Sequence, residues 1–261
     1  LLLLMKRIKF PLAKLRYVSF YILLFGSIQT LIAQQNTILI IADDLSPDYL
    51  GLYSKTTDTA NTPNIQKLIS NGIQFTKVWA APVCSPTRAG IFTGRYPFRT
   101  GVGAVIVNAA SPQLDTSETS IANLLRKYAP TKHNTANVGK WHLHVATTSK
   151  LLFPNKMGYD FYSGNFNGQI NNYYNFQRIT NGKIDTVKTY ATTQTVNDAI
   201  SWLDTMNKAK PFFLSLAFNA PHSPWHLPPS SLCNTAGLSG TNSDINANPN
   251  KYFKAAIEAM D

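Results

Sequence analysis

Hydrophobic and polar positions follow two different periods along this chain, and together they predict helices set between buried strands. The runs 36–42 and 211–218 are short, apolar and rich in β-branched or aromatic residues, which is typical of strands buried in a parallel sheet. Apolar residues at helical spacing instead predict helices over 85–93, 118–128 and 192–206. Helices that alternate with apolar strands predict an α/β architecture.

Shorter signals complete this pattern. A helix is expected from Pro63, with Thr62 as its N-cap and Gly72 at its end. Positions 73–79 alternate loosely and predict a strand, and 134–138 predict a short one.

Two stretches are predicted to be loops, and the last residues form a helical pattern. Positions 163–174 and 232–250 are rich in Asn and Gly and have little apolar periodicity, so either is expected to be a surface loop or to border a substrate cleft. The pattern that begins near Pro249 runs to Asp261, and we therefore expect the domain to be incomplete at its C-terminus.

The first 34 residues have the features of a secretory signal. An apolar run with a small residue, Ala33, follows a basic stretch, and the run is shorter than the roughly 20 residues that a membrane anchor needs. We expect 1–34 to be upstream residues plus a signal peptide, with no stable membrane span and with export to the periplasm or outside the cell. The basic positions are Lys6, Arg7, Lys9, Lys14 and Arg16.

Composition excludes some classes of function. The chain is 44% hydrophobic, enough for a globular core, and its formal net charge is +11. No run of Lys and Arg with interleaved aromatic residues is present, so nucleic acid is not an expected partner. The two cysteines, Cys84 and Cys233, do not make a disulfide framework, although a single bridge between them is the simplest interpretation in an exported protein.

Polar side chains follow three predicted strands at their carboxyl ends, where α/β sheets bind ligands. They are Asp43 with Asp44, Lys140 with His142, and His222 with His226, of which His226 is expected to be structural or to face the substrate. Taken singly, each has a simpler interpretation, because the acidic pair suits a turn and a lone histidine is more often structural.

A fourth cluster surrounds Cys84. Pro86 suits the first turn of a helix, which places Cys84 at or just before the N-terminus, where the helix dipole favours an anion. Arg88 returns to the same side of the helix four residues later. The segment therefore predicts a reactive side chain in a nest for an anionic ester.

Five motifs together resemble the type I sulfatases of the alkaline phosphatase-like superfamily. A single C-x-P-x-R pattern is weak, but ordered motifs are strong. The motifs are Ile41-Ala42-Asp43-Asp44-Leu45, Thr62-Pro63-Asn64-Ile65, Cys84-Ser85-Pro86-Thr87-Arg88 with Thr93-Gly94-Arg95, Gly139-Lys140-Trp141-His142-Leu143, and Ala220-Pro221-His222-Ser223-Pro224. The resemblance implies a central, mostly parallel mixed sheet flanked by helices, with 35–261 as the N-terminal part of the catalytic domain.

The resemblance also implies a nucleophile. A maturation enzyme would oxidise Cys84 to formylglycine, whose aldehyde hydrates to a geminal diol. One diol oxygen would attack the sulfur of a sulfated small molecule or glycan, and the second would later expel sulfate. Asp43 and Asp44 would bind Ca²⁺, in preference to Mg²⁺, together with residue 84.

Four further residues receive roles from the resemblance. Arg88 and Lys140 would stabilise the diol and the calcium site, with Lys140 also near the sulfate. His142 would deprotonate the diol, and His222 would bind sulfate or protonate the leaving oxygen.

Two alternatives stay open. A phosphodiesterase or phosphonate hydrolase of the same superfamily can share the formylglycine, and an inactive truncated fragment would lack the family's later Asp-Asn pair and later lysine. His144 also stands where relatives often have glycine.

Overall fold

The computed structural model describes residues 36–129 and 131–261, in which helices and strands alternate along the chain. The predicted signal peptide lies outside these residues. No helix in the described part is long and apolar enough to cross a bilayer.

The described residues form strands and helices with the following bounds. The strands are β1 (Thr37–Asp43), β2 (Asn134–Lys140), β3 (Phe161–Asn165), β4 (Phe176–Thr180), β5 (Lys183–Val187) and β6 (Phe212–Pro221). The α-helices are α1 (Pro63–Ser70), α2 (Cys84–Thr93), α3 (Ile121–Tyr128), α4 (Phe153–Lys156), α5 (Ala191–Thr205), α6 (Asn242–Ala247) and α7 (Pro249–Met260).

The six strands form one sheet in the order β1-β6-β2-β3-β4-β5. The pairs β1–β6, β6–β2 and β2–β3 are parallel, whereas β3–β4 and β4–β5 are antiparallel. The predicted α/β class with a mostly parallel mixed sheet is therefore confirmed.

Strand β1 is less buried than its sequence suggested. It pairs with β6 on one side, and no described strand pairs with its other side. Leu39 and Ile41 pack against the main core, whereas Ile38 and Ile40 are 49% and 51% exposed. The apolar run predicted burial on both faces, but only one face is covered by described residues.

Four further predictions were wrong. Positions 73–79 form no strand, because no described strand lies beside them to pair with their backbone groups. The predicted loop 163–174 begins inside β3, and 232–250 contains the short helix α6, which Thr241 caps by accepting a hydrogen bond from the Asp244 amide. Helix α3 starts three residues later than predicted, because Ser120 is its N-cap.

The main core fixes α2 against the sheet. Phe92 of α2 stacks on Trp141, which follows β2, with their ring centroids 5.5 Å apart. Both side chains are completely buried, and Tyr159 packs edge-on against each of them. This packing sets the N-terminus of α2 beside the end of β2.

Helix α1 begins after Thr62 as predicted, but the threonine side chain makes no capping hydrogen bond. The Asp261 carboxylate caps the helix instead, accepting from the Asn64 amide at 2.9 Å and from the Ile65 amide at 2.7 Å. A residue almost two hundred positions away thus satisfies donors that a helix N-terminus leaves open.

Candidate active site

Three neighbouring strands bring their polar residues to one edge of the sheet. Asp43 at the end of β1 lies opposite Pro221 on β6, and Gly139 near the end of β2 lies opposite Ala217. Gly139 has a φ of +103°, and a Cβ there would lie 1.9 Å from the Ala217 carbonyl oxygen, so only glycine allows this close approach. His222 directly follows β6.

Cys84 is the first residue of α2 and is partly buried. Val83 is the N-cap and has no side-chain hydrogen bond to the helix, which leaves the amide end of the helix open. The Cys84 Sγ lies 3.0 Å from His142 Nδ1. Cys84 and Cys233 are both free thiols, so the bridge considered from the sequence is not formed.

Arg88, Lys140 and Asp43 form a buried ionic cluster behind Cys84. Arg88 Nη2 lies 3.3 Å from Asp43 Oδ1, and Arg88 Nη1 donates to the Lys140 carbonyl at 2.7 Å. The Lys140 ammonium pairs with the other Asp43 oxygen. Burial lowers the pKa of Lys140, and two cations here share one carboxylate. The cluster therefore has an excess of positive charge that favours an anion nearby.

The hydrogen bonds of His142 fix its tautomer. Its Nε2 lies 2.8 Å from the Ile106 carbonyl oxygen, which can only accept, so Nε2 carries the proton. Burial, and secondarily the Lys140 and Arg88 charges, lower the His142 pKa to about 4. The ring is therefore neutral at pH 7, with the Nδ1 lone pair directed at Cys84.

His222 contacts Asp44 and lines the same cavity as Cys84. Its Nδ1 donates to the Ser223 carbonyl at 2.8 Å, and its Nε2 lies 3.4 Å from Asp44 Oδ2. The Asp44 side chain is 62% exposed and its backbone has a φ of +64°. Such a conformation is uncommon outside glycine and is frequent at functional sites.

Cys84, His142 and His222 line one cavity of about 360 Å³. Apolar residues of 105–107 and the polar loop 166–171 complete its wall. A larger groove of about 780 Å³ beside α3 contains none of the predicted site residues. Because the candidate chemistry lies in the smaller cavity, that cavity is the candidate active site.

Several residues that shape the site were not predicted. Ile106 orients His142 through its backbone carbonyl, which leaves no mark in the sequence. His226 is the residue expected to be structural or to face the substrate, and its contacts are structural ones. Its ring stacks on Tyr173 at 3.9 Å and accepts a hydrogen bond from the Tyr190 hydroxyl, while the Tyr173 hydroxyl donates to the His222 carbonyl at 2.7 Å.

The residues expected to bind a metal supply part of a ligand set. Carboxylate oxygens suit Ca²⁺, which takes roughly six to eight oxygen ligands. Both oxygens of Asp43 are already ion-paired, and no group of three or more His, Cys, Asp and Glu side chains within the described residues is arranged to hold a metal. Asp43 and Asp44 therefore offer oxygen donors of a suitable type, but the described residues do not by themselves form a complete cation site.

The Sulfatase family profile matches residues 35–261, and this chain belongs to that family. Sulfatases of this family generally use a formylglycine residue and a divalent metal. Human steryl-sulfatase is 38% identical over 142 residues, which cover 51% of this chain and 24% of that protein. Mouse arylsulfatase J is 28% identical over 209 residues, covering 75% of this chain and 34% of the relative. The chain thus matches a quarter to a third of these relatives' length.

Solved structures share the fold. The crystal structure of Ps i-CgsB aligns with a TM-score of 0.70 and 28% identity, covering 87% of this chain and 52% of that one. The same protein in complex with k-i-k-neocarrahexaose gives a TM-score of 0.69. BT4656, solved in complex with its substrate D-glucosamine-2-N,6-O-disulfate, aligns with a TM-score of 0.61 and 26% identity over 76% of this chain and 37% of that one.

Proposed function

We propose that this protein hydrolyses sulfate esters, with residue 84 as the nucleophile after oxidation of Cys84 to formylglycine. The observation that carries the proposal is the 3.0 Å contact between Cys84 Sγ and the unprotonated Nδ1 of His142. The contact lies at the open N-terminus of α2, on the wall of a cavity beside a cationic cluster. A nucleophile within reach of an oriented base is the arrangement that covalent catalysis requires.

A maturation enzyme that supplies the oxidant is the expected partner for this modification. When formed, the aldehyde takes up water to give a geminal diol, and one hydroxyl group can attack sulfur to form a sulfated residue 84. Deprotonation of the second hydroxyl group would then expel sulfate and restore the aldehyde, which hydrates again. The partly buried Cys84 side chain opens into the cavity, so the group would meet a substrate there.

His142 would accept a proton from residue 84. The bond from its Nε2 to the Ile106 carbonyl keeps Nδ1 free as an acceptor. A hydroxyl on residue 84 would occupy the place of Sγ, within hydrogen-bond reach of that lone pair.

Arg88 and Lys140 would balance the charge of the sulfate. The two side chains lie behind residue 84 and both pair with Asp43. Their two positive charges exceed the single negative charge of that carboxylate by one. Fixed cations in a poorly solvated site stabilise negative charge more strongly than water does. Lys140 would also lie near the sulfate oxygens.

His222, with a proton on both ring nitrogens, would donate the Nε2 proton to the leaving oxygen. Its Nε2 lies beside Asp44 and its Nδ1 donates to the Ser223 carbonyl, while the residue lines the cavity. When the S–O bond of the ester breaks, its electron pair goes to the alcohol oxygen, which takes this proton. Transfer to a poor leaving group is where acid catalysis contributes most.

Asp43 and Asp44, together with the modified residue 84, would hold a calcium ion on one side. Such an ion would lower the pKa of a bound hydroxyl and offset sulfate charge. Their carboxylates are hard oxygen donors that suit a divalent cation, and the choice of Ca²⁺ rests on the family resemblance.

The substrates are proposed to be sulfated glycans, because similar structures were solved with a neocarrahexaose and with a disulfated glucosamine.

We also propose that 35–261 is the N-terminal part of the catalytic domain, and that the 1–34 segment directs secretion or export to the periplasm. N-terminal sequencing of exported protein would place the cleavage near Gln34.

Mass spectrometry of the peptide containing residue 84 tests the nucleophile. Protein made in a maturation-competent host should carry an aldehyde there, trapped by a hydrazine probe. Cys84→Ala should lower turnover of a sulfate ester by about 10⁴-fold or more while thermal stability stays close to wild type. Cys233→Ala, which alters the other free thiol, is the matched control and should keep the aldehyde.

Sulfate ester hydrolysis that survives in Cys84→Ala would refute the assignment. Matched phosphate and phosphonate esters, assayed in parallel, should turn over more slowly than the sulfate ester. A preference for the phosphate ester would favour the phosphodiesterase alternative.

A further inference from the structure

The loop after β3 alternates buried apolar residues with exposed amides. Phe166 and Ile170 are 1% and 5% exposed and anchor the loop in the core. Asn167, Gln169 and Asn171 point outward from it, and all three line the cavity that contains Cys84. The alternation presents three amide side chains to the candidate active site.

Hydrogen bonds hold the start of this loop in place. The Asn165 carbonyl accepts from the Trp141 amide at 2.9 Å, and the Asn165 side-chain oxygen accepts from Asn219 Nδ2 at 2.9 Å. Asn165 Nδ2 in turn donates to the Asn167 carbonyl at 3.1 Å. Because Asn165 is 4% exposed, these bonds are shielded from water and give the loop a defined position.

Gly168 brings the loop directly onto the candidate base. A Cβ at this position would lie 2.6 Å from His142 Cε1, closer than side-chain carbons approach one another. The backbone of the loop therefore packs against the His142 ring. The amides on either side of Gly168 are thereby placed next to the reacting group.

The three amides are free to bind a ligand. Within the described residues, no side chain of Asn167, Gln169 or Asn171 makes a hydrogen bond to another group. Each amide offers one oxygen acceptor and two N–H donors. A hydroxyl group needs one donor and one acceptor, so neighbouring hydroxyl groups on a ring suit a row of amides.

Apolar residues also line the cavity, and they are Val105, Val107, Val145 and Phe166. A sugar ring has an apolar face of C–H groups and an edge of hydroxyl groups, which match these two kinds of lining residue. A wholly apolar alcohol would instead cover the amides without satisfying them, which costs binding free energy.

We propose that Asn167, Gln169 and Asn171 bind the ring hydroxyl groups of a sulfated sugar and make the protein prefer sugar sulfates to aryl sulfates. The proposal rests on the sulfatase function proposed above. It assigns these residues to substrate specificity, apart from the groups that would break the ester.

Kinetics on two kinds of substrate test this assignment. The sugar substrates are the positional monosulfates of methyl galactopyranoside and methyl glucopyranoside, and the aryl substrate is 4-nitrophenyl sulfate. In Gln169→Ala and in Asn171→Ala, the ratio of kcat/KM for the best sugar sulfate to kcat/KM for the aryl sulfate should fall about tenfold, the value of one lost hydrogen bond. Asn175→Ala is the matched control, an exposed amide of the same segment outside this cavity, and should leave the ratio unchanged.

An unchanged ratio in Gln169→Ala, Asn171→Ala and their double variant would overturn the specificity assignment while sulfate ester hydrolysis stands. Calorimetric titration of the same monosulfates separates the two proposals. Binding that weakens about tenfold in the variants, in protein that hydrolyses no sulfate ester, would support the sugar site and count against the enzymatic function. Absence of binding and of sugar sulfate turnover in the wild type would overturn the sugar site.

Discussion

Histidines follow the ends of both β2 and β6, but the two ends differ in how far they bury the rings. After β2, His142 and His144 are 2% and 1% exposed, and His144 Nε2 donates to the Leu114 carbonyl at 2.6 Å while its Nδ1 accepts from Trp141 Nε1 at 2.9 Å. After β6, the His222 side chain is 19% exposed and faces Asp44 across 3.4 Å. The end of β2 is therefore the enclosed end and the end of β6 the more exposed, open end, although His142 and His222 line the same cavity.

The difference separates two chemical roles. Burial lowers the pKa of His142 and of His144 to about 4, so both rings are neutral at pH 7 and their tautomers are fixed by carbonyl acceptors. His222 stays accessible to a substrate oxygen. A fixed neutral ring suits a proton acceptor, whereas an accessible ring suits a donor to the leaving group.

The largest effect is expected at the enclosed end. His142→Ala should lower kcat for a sulfate ester by about 10²- to 10⁴-fold, because the proton acceptor beside residue 84 is lost. His142→Gln keeps a possible donor toward the Ile106 carbonyl but has no base, and should be equally slow. Steady-state kinetics with thermal melts would check both, and a fully active His142→Gln would contradict the base assignment.

A smaller effect, dependent on the leaving group, is expected at the open end. His222→Ala should lower kcat by about 10²-fold on an alkyl or sugar sulfate, whose alkoxide needs a proton. On 4-nitrophenyl sulfate the loss should be below about tenfold, because a phenolate leaves without one. Equal losses on both substrates would argue that His222 binds sulfate rather than protonating the leaving oxygen.

The third prediction concerns stability against acid. The pKa of His144 is about 4 in the folded protein against 6.5 for an unperturbed histidine. The unfolded chain therefore binds more protons between these values, and the contribution of the neutral ring to stability is complete above pH 6.5 and is lost as the pH falls toward 4. In His144→Gln the free energy of unfolding should depend on pH less steeply there, by at most about 1.4 kcal/mol per pH unit.

Urea denaturation from pH 4 to pH 7 would measure this slope. His133→Gln is the matched control, because His133 lies before β2 and belongs to neither enclosed histidine site. An unchanged slope in His144→Gln would mean that its ring is not kept neutral by burial.

The smallest effect is expected at the His226 contacts, which follow β6 close to His222, and it concerns the free energy of unfolding. Tyr190→Phe removes the hydrogen bond to His226 Nε2, 3.0 Å long, and should lower the free energy of unfolding by about 1 kcal/mol. Tyr128→Phe, at a tyrosine that is 66% exposed, should change it little. Chemical denaturation of both variants tests whether the His226 contacts support the segment that carries His222.

The strand ends were predictable from the sequence because their signals are local. The runs that became β1 and β6 are continuous and apolar, and polar residues that follow parallel strands meet at one edge of the sheet. The sequence pattern therefore predicts that Asp43, His142 and His222 lie close together at one edge of the sheet. The catalytic roles assigned to these residues remain predictions.

Contacts between distant segments were not predictable in this way. The Ile106 carbonyl lies in an irregular segment, and any residue type there would offer the same oxygen to His142. His144 was noticed as a departure from relatives, but its bond to the Leu114 carbonyl depends on packing. By contrast, the β4–β5 hairpin did have a usable signal that was missed, since Asn181-Gly182 is a typical two-residue turn and both residues have positive φ.

The distant cap on α1 also bears on the order in which the chain acquires structure. A helix of eight residues is too short to be stable alone in water. The carboxylate that caps its amides lies 196 to 197 positions further along the chain. The helix therefore gains its N-terminal cap only after almost the whole described chain has been synthesised. Closing so long a loop is entropically costly and slow. During synthesis, 63–70 would therefore remain without its cap, exposed to chaperones and proteases until α7 has formed.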